Sequence, residues 1–195
     1  ALKPGNVWTA FTVAPEDSAN GPVYFRDTSP KDGRNDLMHE LPGLGPTQWS
    51  SAGAINGSGL VVGDSLLLNS FGYYDQGTLW LGNSPVNLGY TTDWGNLAYA
   101  VNNQGLVTIG PPISFRASCY LVVPEDTNSD GVPDTWFEDH NEDGVNDLLK
   151  LIAPVHGYIP WADDWQDTYT PAAINDAGQI ILNRWGGPPY RLTPD

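Results

Sequence analysis

Three segments of the chain carry one pattern: GAINGSGLVVGDS from Gly53, YAVNNQGLVTIG from Tyr99 and AAINDAGQIILN from Ala172. In each, a short apolar run meets a polar turn containing glycine and leaves through a second apolar run, which is the signature of a β-hairpin. Asn56, Asn102 and Asn175 open the turns, and Gly59, Gly105 and Gly178 stand where a positive φ is useful. Each hairpin is followed by a strand-like run ending near proline: TLWLGNSP from Thr78, CYLVVPED from Cys119 and YRLTPD from Tyr190. A fourth run of that kind, AFTVAPED from Ala10, stands near the start without its hairpin. With 22 glycines and 17 prolines the chain is punctuated too often for long helices. These patterns predict one all-β domain over residues 1–195, built of antiparallel hairpin repeats in a propeller-like arrangement, with a β-sandwich carrying long loops as the alternative.

The hairpin motif recurs after 46 residues and then after 73, and the longer interval contains the acidic segment 126–147. A unit of about that shorter length cannot bury its apolar face alone and must stack on its neighbours. The acidic segment therefore reads as an insertion in a β-repeat. Its sequence, DTNSDGVPDTWFEDHNEDGVND, contains two consecutive copies of D-x-N-x-D-G-x-x-D. Asp126, Asn128 and Asp130 fall at loop positions one, three and five, where a loop curling around a hard cation aims side-chain oxygens inward. Gly131 at position six permits the sharp turn, Val132 at position seven offers its backbone carbonyl, and Asp134 completes the set at position nine. Asp139, Asn141, Asp143, Gly144, Val145 and Asp147 repeat the grammar, so the expected cofactor is Ca2+. A helix-loop-helix calcium sensor is disfavoured, because the bidentate glutamate such a loop needs at position twelve is replaced by Phe137 and Lys150.

Residues 10–38 pair with 119–149 as an internal duplication. PED recurs at Pro15 and Pro124, YFRD at Tyr24 matches WFED at Trp136, and DGRNDLM at Asp32 matches DGVNDLL at Asp143. In the early copy the first loop is shortened, and the second has an extra residue between Asp27 and Asp32. Asp17, Asp27, Asp32 and Asp36 are its remaining candidate ligands, expected to bind calcium weakly or with altered geometry.

The thirteen-residue period between the two complete loops resembles thrombospondin type 3 repeats and related acidic loops of prokaryotic secreted proteins. In those, neighbouring loops share ligands, which implies that Asp139 serves both ions. The hairpin like GAINxxGLVVG, followed by a strand like TLW and then by DLMHELPGLG from Asp36, VNLG from Val86 or DLLKLI from Asp147, resembles the HAF family of probable extracellular repeats. That resemblance covers most of the chain. It implies a secreted or surface β-repeat protein of prokaryotic origin and no settled biochemical activity.

The formal net charge of −15 disfavours phosphate backbones and anionic lipid as partners. No apolar span is long enough to insert in a membrane, and no signal peptide is evident, so the start at ALKPG is read as a mature product or an excised fragment. Open calcium loops of extracellular modules bind at about 10⁻⁴ to 10⁻³ M, which places the expected location outside the cell. Cys119, the only cysteine, precludes an internal disulfide and reads as a buried strand thiol.

Two patterns suggest other chemistry. Gly63 to Leu66 spell the GDSL block of an esterase family, with Ser65 as nucleophile and His39 as base, but the blocks stand in the wrong order and the repeat explains each of them. GYIPWADDW at 157–165 offers Trp161 and Asp163 as a surface-glycan site, whereas Trp49, Trp94 and Trp165 each precede a hairpin and read as packing elements between units. The sequence thus points to a non-enzymatic, secreted, calcium-binding structural or interaction protein, self-assembling by head-to-tail strand exchange, with glycan binding as the alternative function.

Overall fold

A computed structural model describes residues 10–13, 25–28, 31–45, 49–70, 72–89, 95–112, 118–153, 169–184 and 186–195. The described residues are all-β, with no helix among them. Strands β1 (Ala10–Val13) and β2 (Met38–Leu41) form a two-stranded antiparallel sheet. Strands β3 (Ser50–Ile55), β4 (Val61–Asn69), β5 (Gly72–Leu81) and β6 (Ser84–Asn87) follow as an antiparallel meander, each paired with the next. The layout repeats in β7 (Leu97–Val101), β8 (Val107–Gly110), β9 (Cys119–Val122) and β10 (Leu149–Ala153). A third meander has three strands, β11 (Tyr169–Ile174), β12 (Ile180–Arg184) and β13 (Tyr190–Leu192).

The three expected hairpins are β3–β4, β7–β8 and β11–β12, and their turns are the same turn made three times. Asn56, Asn102 and Asn175 each close it by donating the backbone N–H to the carbonyl four residues on, at Leu60, Leu106 and Gln179. Each asparagine Oδ1 then accepts two backbone N–H groups inside the turn: Ser58 and Leu60, Gln104 and Leu106, Ala177 and Gln179. This local side-chain capping is what makes asparagine a turn residue. Gly59, Gly105 and Gly178 sit at φ of 86°, 77° and 72°, the left-handed region that other residues avoid. A register shift recurs at the same place in the first strand of each hairpin, between Ala52 and Ala54, Ala98 and Ala100, and Pro171 and Ala173. It is a β-bulge that tightens the local twist.

The turns also bond to one another. Asn56 Nδ2 donates to the Asn102 carbonyl at 2.8 Å, and Asn102 Nδ2 donates to the Asn175 carbonyl at 3.0 Å. Beside this rail runs a second, from Gly57 N to Asn103 Oδ1 and from Asn103 N to Asp176 Oδ1. Backbone spacing between successive hairpins is therefore fixed by hydrogen bonds, with apolar packing behind them. Val62, Leu79 and Leu88 of the β3–β6 region meet Ala98, Val101, Val107, Ile109 and Val122 of the β7–β10 sheet in the main core. Cys119 and Ala153 meet Ile180 and Leu182 at the next seam. A smaller cluster of Leu41, Val61 and Trp80 joins β2 to the β3–β6 sheet. Full burial of a side chain such as Leu79 or Ile109 is worth about 1.5–3 kcal/mol.

Cys119 is the buried strand thiol expected, its Sγ 3.2 Å from the Tyr169 carbonyl and its pKa pushed up to about 12 by burial. The tryptophans divide differently from expectation. Trp80 and Trp136 are buried, whereas Trp49 keeps 41% of its surface exposed; Trp94 and Trp165 lie outside the described residues.

Candidate metal centre

The acidic segment occupies the β9–β10 connection, residues 123–148, and its two loops share one backbone fold. A single antiparallel bridge between Glu125 and Thr135 closes the first loop, with Asp134 N also donating to the Glu125 carbonyl at 2.9 Å. The second closes in the same way, Asp147 N donating to the Glu138 carbonyl at 2.7 Å.

Within each loop the oxygens named from the sequence organise the turn. Asp126 accepts from the N–H of Asp130 on Oδ1 (3.1 Å) and of Gly131 on Oδ2 (2.7 Å). Thirteen residues later Asp139 accepts from Asp143 N (3.1 Å) and Gly144 N (2.8 Å). Asn128 and Asn141 each accept from the same Asp130 or Asp143 N–H, and Asp130 and Asp143 each accept from the N–H of Val132 or Val145. Position four is left-handed in both loops, Ser129 at φ 62° and Glu142 at 59°, and position six is glycine at 88° and 81°. A non-glycine residue held there carries a conformational cost of about 1 kcal/mol or more. The surrounding carboxylate bonds hold it in place.

Position nine is held from position two. Asp134 accepts from the Thr127 backbone N–H at 3.1 Å and its hydroxyl at 2.9 Å. Asp147 accepts from the His140 N–H at 2.8 Å, with His140 Nδ1 at 3.1 Å. Those backbone N–H bonds are the main cause that lowers both carboxyl pKa values below the ordinary aspartate range. The His140 pKa is raised, first by its hydrogen bond to Asp147 and then by the nearby Glu138.

The early copy repeats much of this bonding among its described residues. Asp27 accepts from Asp32 N and Gly33 N, Asp32 accepts from Arg34 N, and Asp36 accepts from the N–H and hydroxyl of Thr28. Asp17, Trp161 and Asp163 lie outside the described residues.

The donor set fits a hard divalent cation, because every side chain expected to ligate offers oxygen, and among the described residues none of those carboxylates is buried. Among the described residues no three His, Cys, Asp or Glu side chains stand close enough together to hold an ion. The carboxylates instead point at peptide N–H groups, so closing on a cation requires side-chain rotation about a backbone that is already curled. Val132 and Val145 are exposed, as positions that contribute only a carbonyl allow. Both Asp139 oxygens are engaged within their own loop.

The loops stand largely in solvent, but their exits are core elements. Trp136 is 3% exposed and donates Nε1–H to the Gly105 carbonyl in the β7–β8 turn at 2.8 Å. Asn146 is 1% exposed, with Nδ2 donating to the carbonyls of Leu88 (2.9 Å) and Trp136 (2.8 Å) and Oδ1 accepting from Glu138 N and Leu148 N. Asn35 Oδ1 repeats that last pair in the early loop, accepting from Arg26 N and Leu37 N. The signal for these residues was the recurrence of GxND, which the sequence reading assigned to the duplication alone.

The esterase-like residues are placed by packing. Ser65 is wholly buried in β4 and accepts from Leu44 N (3.1 Å) and the Thr78 hydroxyl (2.9 Å), while His39 lies on β2 opposite Thr12. Comparison with protein-family models, with curated proteins and with solved structures finds no match to this chain.

Proposed function

We propose that the chain is a secreted, non-enzymatic scaffold of a prokaryotic cell surface or extracellular matrix, in which calcium braces a propeller-like β-repeat. The observation that carries this reading is the threefold recurrence of one loop, at 27–36, 126–134 and 139–147, whose aspartates cap the same backbone N–H groups. Surface turns of unrelated purpose have no reason to repeat that capping three times, nor to reproduce, in 126–134 and 139–147, the same five oxygen donors and two left-handed residues. Successive antiparallel meanders joined by a rail of turn asparagines support the propeller-like part. Calcium here is structural: it takes over charge that would otherwise repel across a loop of like sign, and so stiffens the insertion.

The same proposal extends to assembly with further copies. Strand β13 pairs on one side only among the described residues, and an edge of that kind accepts a strand from another chain.

The test is thermal unfolding of the full chain in calcium and in chelator. With free calcium a hundredfold above its dissociation constant, binding adds about 2.7 kcal/mol per site, and the melting temperature rises by several degrees. Superimposable melting curves would remove calcium from the function. Electron microscopy under the same two conditions tests assembly, with filaments that disperse in chelator expected and uniformly single particles counting against it.

A further inference from the structure

Three carboxamides, Gln76, Asn96 and Asn146, are buried to within 1% of completely, and all three converge on one short segment, Leu88–Gly89. Asn146 donates to the Leu88 carbonyl at 2.9 Å. Gln76 Nε2 and Asn96 Nδ2 donate to the Gly89 carbonyl at 2.6 and 2.9 Å. Asn96 Oδ1 accepts from Gly77 N at 2.6 Å, and Asn96 N donates to the Asp75 carbonyl at 2.9 Å. The three donors come from different parts of the chain: β5, the residue before β7, and the end of the second acidic loop. The clasp therefore ties the β3–β6 sheet, the β7–β10 sheet and the insertion together at one point.

The two loops differ in how they reach it. In 139–147 the residue between positions seven and nine is Asn146 itself, and its Oδ1 holds the N–H of Glu138 at the loop entrance and of Leu148 at the exit. In 126–134 the matching residue is Pro133, which has no amide to offer, and the loop is anchored through Trp136 to Gly105 within its own sheet. One loop thus sends its own side chain to the clasp, whereas the other meets it only past its position nine, where the Trp136 carbonyl accepts from Asn146 Nδ2 at 2.8 Å.

Resting on the calcium reading above, we propose that calcium held by the 139–147 loop locks the seam between the β3–β6 and β7–β10 sheets through Asn146. Calcium held by 126–134 stiffens that loop without reaching the seam. An ion fixes the curl of the second loop, the curl fixes Asn146 between its flanking N–H groups, and Asn146 fixes the Leu88 carbonyl. By linkage the docked seam in turn preorganises the second loop and raises its affinity. Asn146 is a positioning residue, acting on the metal only through the backbone of its loop.

The test is hydrogen exchange of the full chain with and without calcium, together with calorimetric calcium titration. In wild type, calcium slows exchange at residues 86–89 as well as within both loops, and leaves β12 and β13 unchanged. Asp143→Asn abolishes the slowing at 86–89, whereas Asp130→Asn preserves it. Asn146→Ala weakens one calcium site about tenfold, the usual scale for a group supporting a ligand shell, and leaves the other site unchanged. Should Asn146→Ala fail to fold, the two surface aspartate variants decide the matter. If wild type binds calcium and exchange at 86–89 does not change, or if both aspartate variants behave alike, this coupling is wrong and the calcium reading stands. If calorimetry detects no calcium binding to wild type, both fall together.

Discussion

The β5–β6 and β9–β10 connections occupy the same place in two sheets of the same layout. One closes over Gly82 and Asn83; the other runs through residues 123–148. A meander of this kind evidently needs no more than a two-residue turn there, so the acidic insertion is not required for the strands to pair. Yet the longer connection is not an appendage either. It returns Trp136 and Leu148 to the main core and Asn146 to the seam, so that the sheet carrying the insertion has become dependent on it. The difference teaches that a metal-binding insertion is integrated at its exits, where the chain leaves each loop, while the loops stay in solvent.

The sharpest way to break that comparison is Trp136→Ala. It deletes a buried indole and leaves the Gly105 carbonyl without its N–H donor, so the loss of stability is about 3–5 kcal/mol, read from the urea midpoint in chelator. A loss below 1 kcal/mol would make the insertion an appendage after all. Leu81→Ala at the short connection, where the side chain is 38% exposed, is the matched control and costs far less.

Next in size is Gly89→Ala. Gly89 has φ 90°, and a Cβ there would stand 2.5 Å from the Asn146 Cβ, so the substitution combines left-handed strain with a collision at the clasp. The backbone term alone is about 1–2 kcal/mol, and displacing the clasp adds to it. Chemical denaturation of Gly89→Ala and of Gly82→Ala, whose added Cβ meets open space, separates the two contributions because only the first touches the insertion.

The uneven legibility of the sequence follows from where each interaction closes. An Asn-x-x-Gly turn is complete within five residues, so Asn56, Asn102 and Asn175 announced all three hairpins. The acidic loops are equally self-contained, and Asp126 and Asp139 were found with their roles as turn organisers still hidden. The rail that joins Asn56 to Asn102 and Asn102 to Asn175 was invisible, because a donor to a neighbouring repeat leaves no mark on local spacing. Gln76, Asn96 and Asn146 were missed for a different reason. A polar amide in a β-rich sequence ordinarily lies in a surface turn, and only burial shows that these three satisfy carbonyls stranded between sheets.

The seam between the first two large sheets also contains an unfavourable pair, which predicts a smaller effect with a definite sign. Strand register puts Asp64 opposite Gly77 and Asp75 opposite Leu66, on the face of β4 and β5 that also presents Val62 and Leu79. Burial, with the neighbouring Asp75 second, raises the Asp64 pKa to about 6, and burial raises Asp75 as well. A carboxyl whose folded pKa lies above its unfolded value opposes folding once ionised. Stability is therefore gained as pH falls from above 6 towards 4, and is lost on the way back up. Asp64→Asn should melt higher than wild type at pH 7.5 and equal it near pH 4.5. His140, with its raised pKa, slopes in the same direction, so the difference between wild type and Asp64→Asn isolates the pair. A variant that parallels wild type at every pH would remove the pair from the seam's energetics.

The smallest expected effect tests whether the second seam is built as dry as the first. Thr108 is wholly buried in β8, and its hydroxyl is the one buried side-chain polar atom among the described residues without a hydrogen-bond partner. It takes the place held by Val62 one repeat earlier, since Thr108 pairs with Leu121 just as Val62 pairs with Leu79. Thr108→Val keeps the shape and removes the unsatisfied oxygen, so it should raise stability by about 1 kcal/mol, near the lower end of what burying an unpaired hydroxyl costs. Denaturant midpoints resolve a shift of that size. A loss of similar size would mean that the hydroxyl holds a water between the β7–β10 and β11–β13 sheets, and that the second seam is wet where the first is closed by side-chain amides.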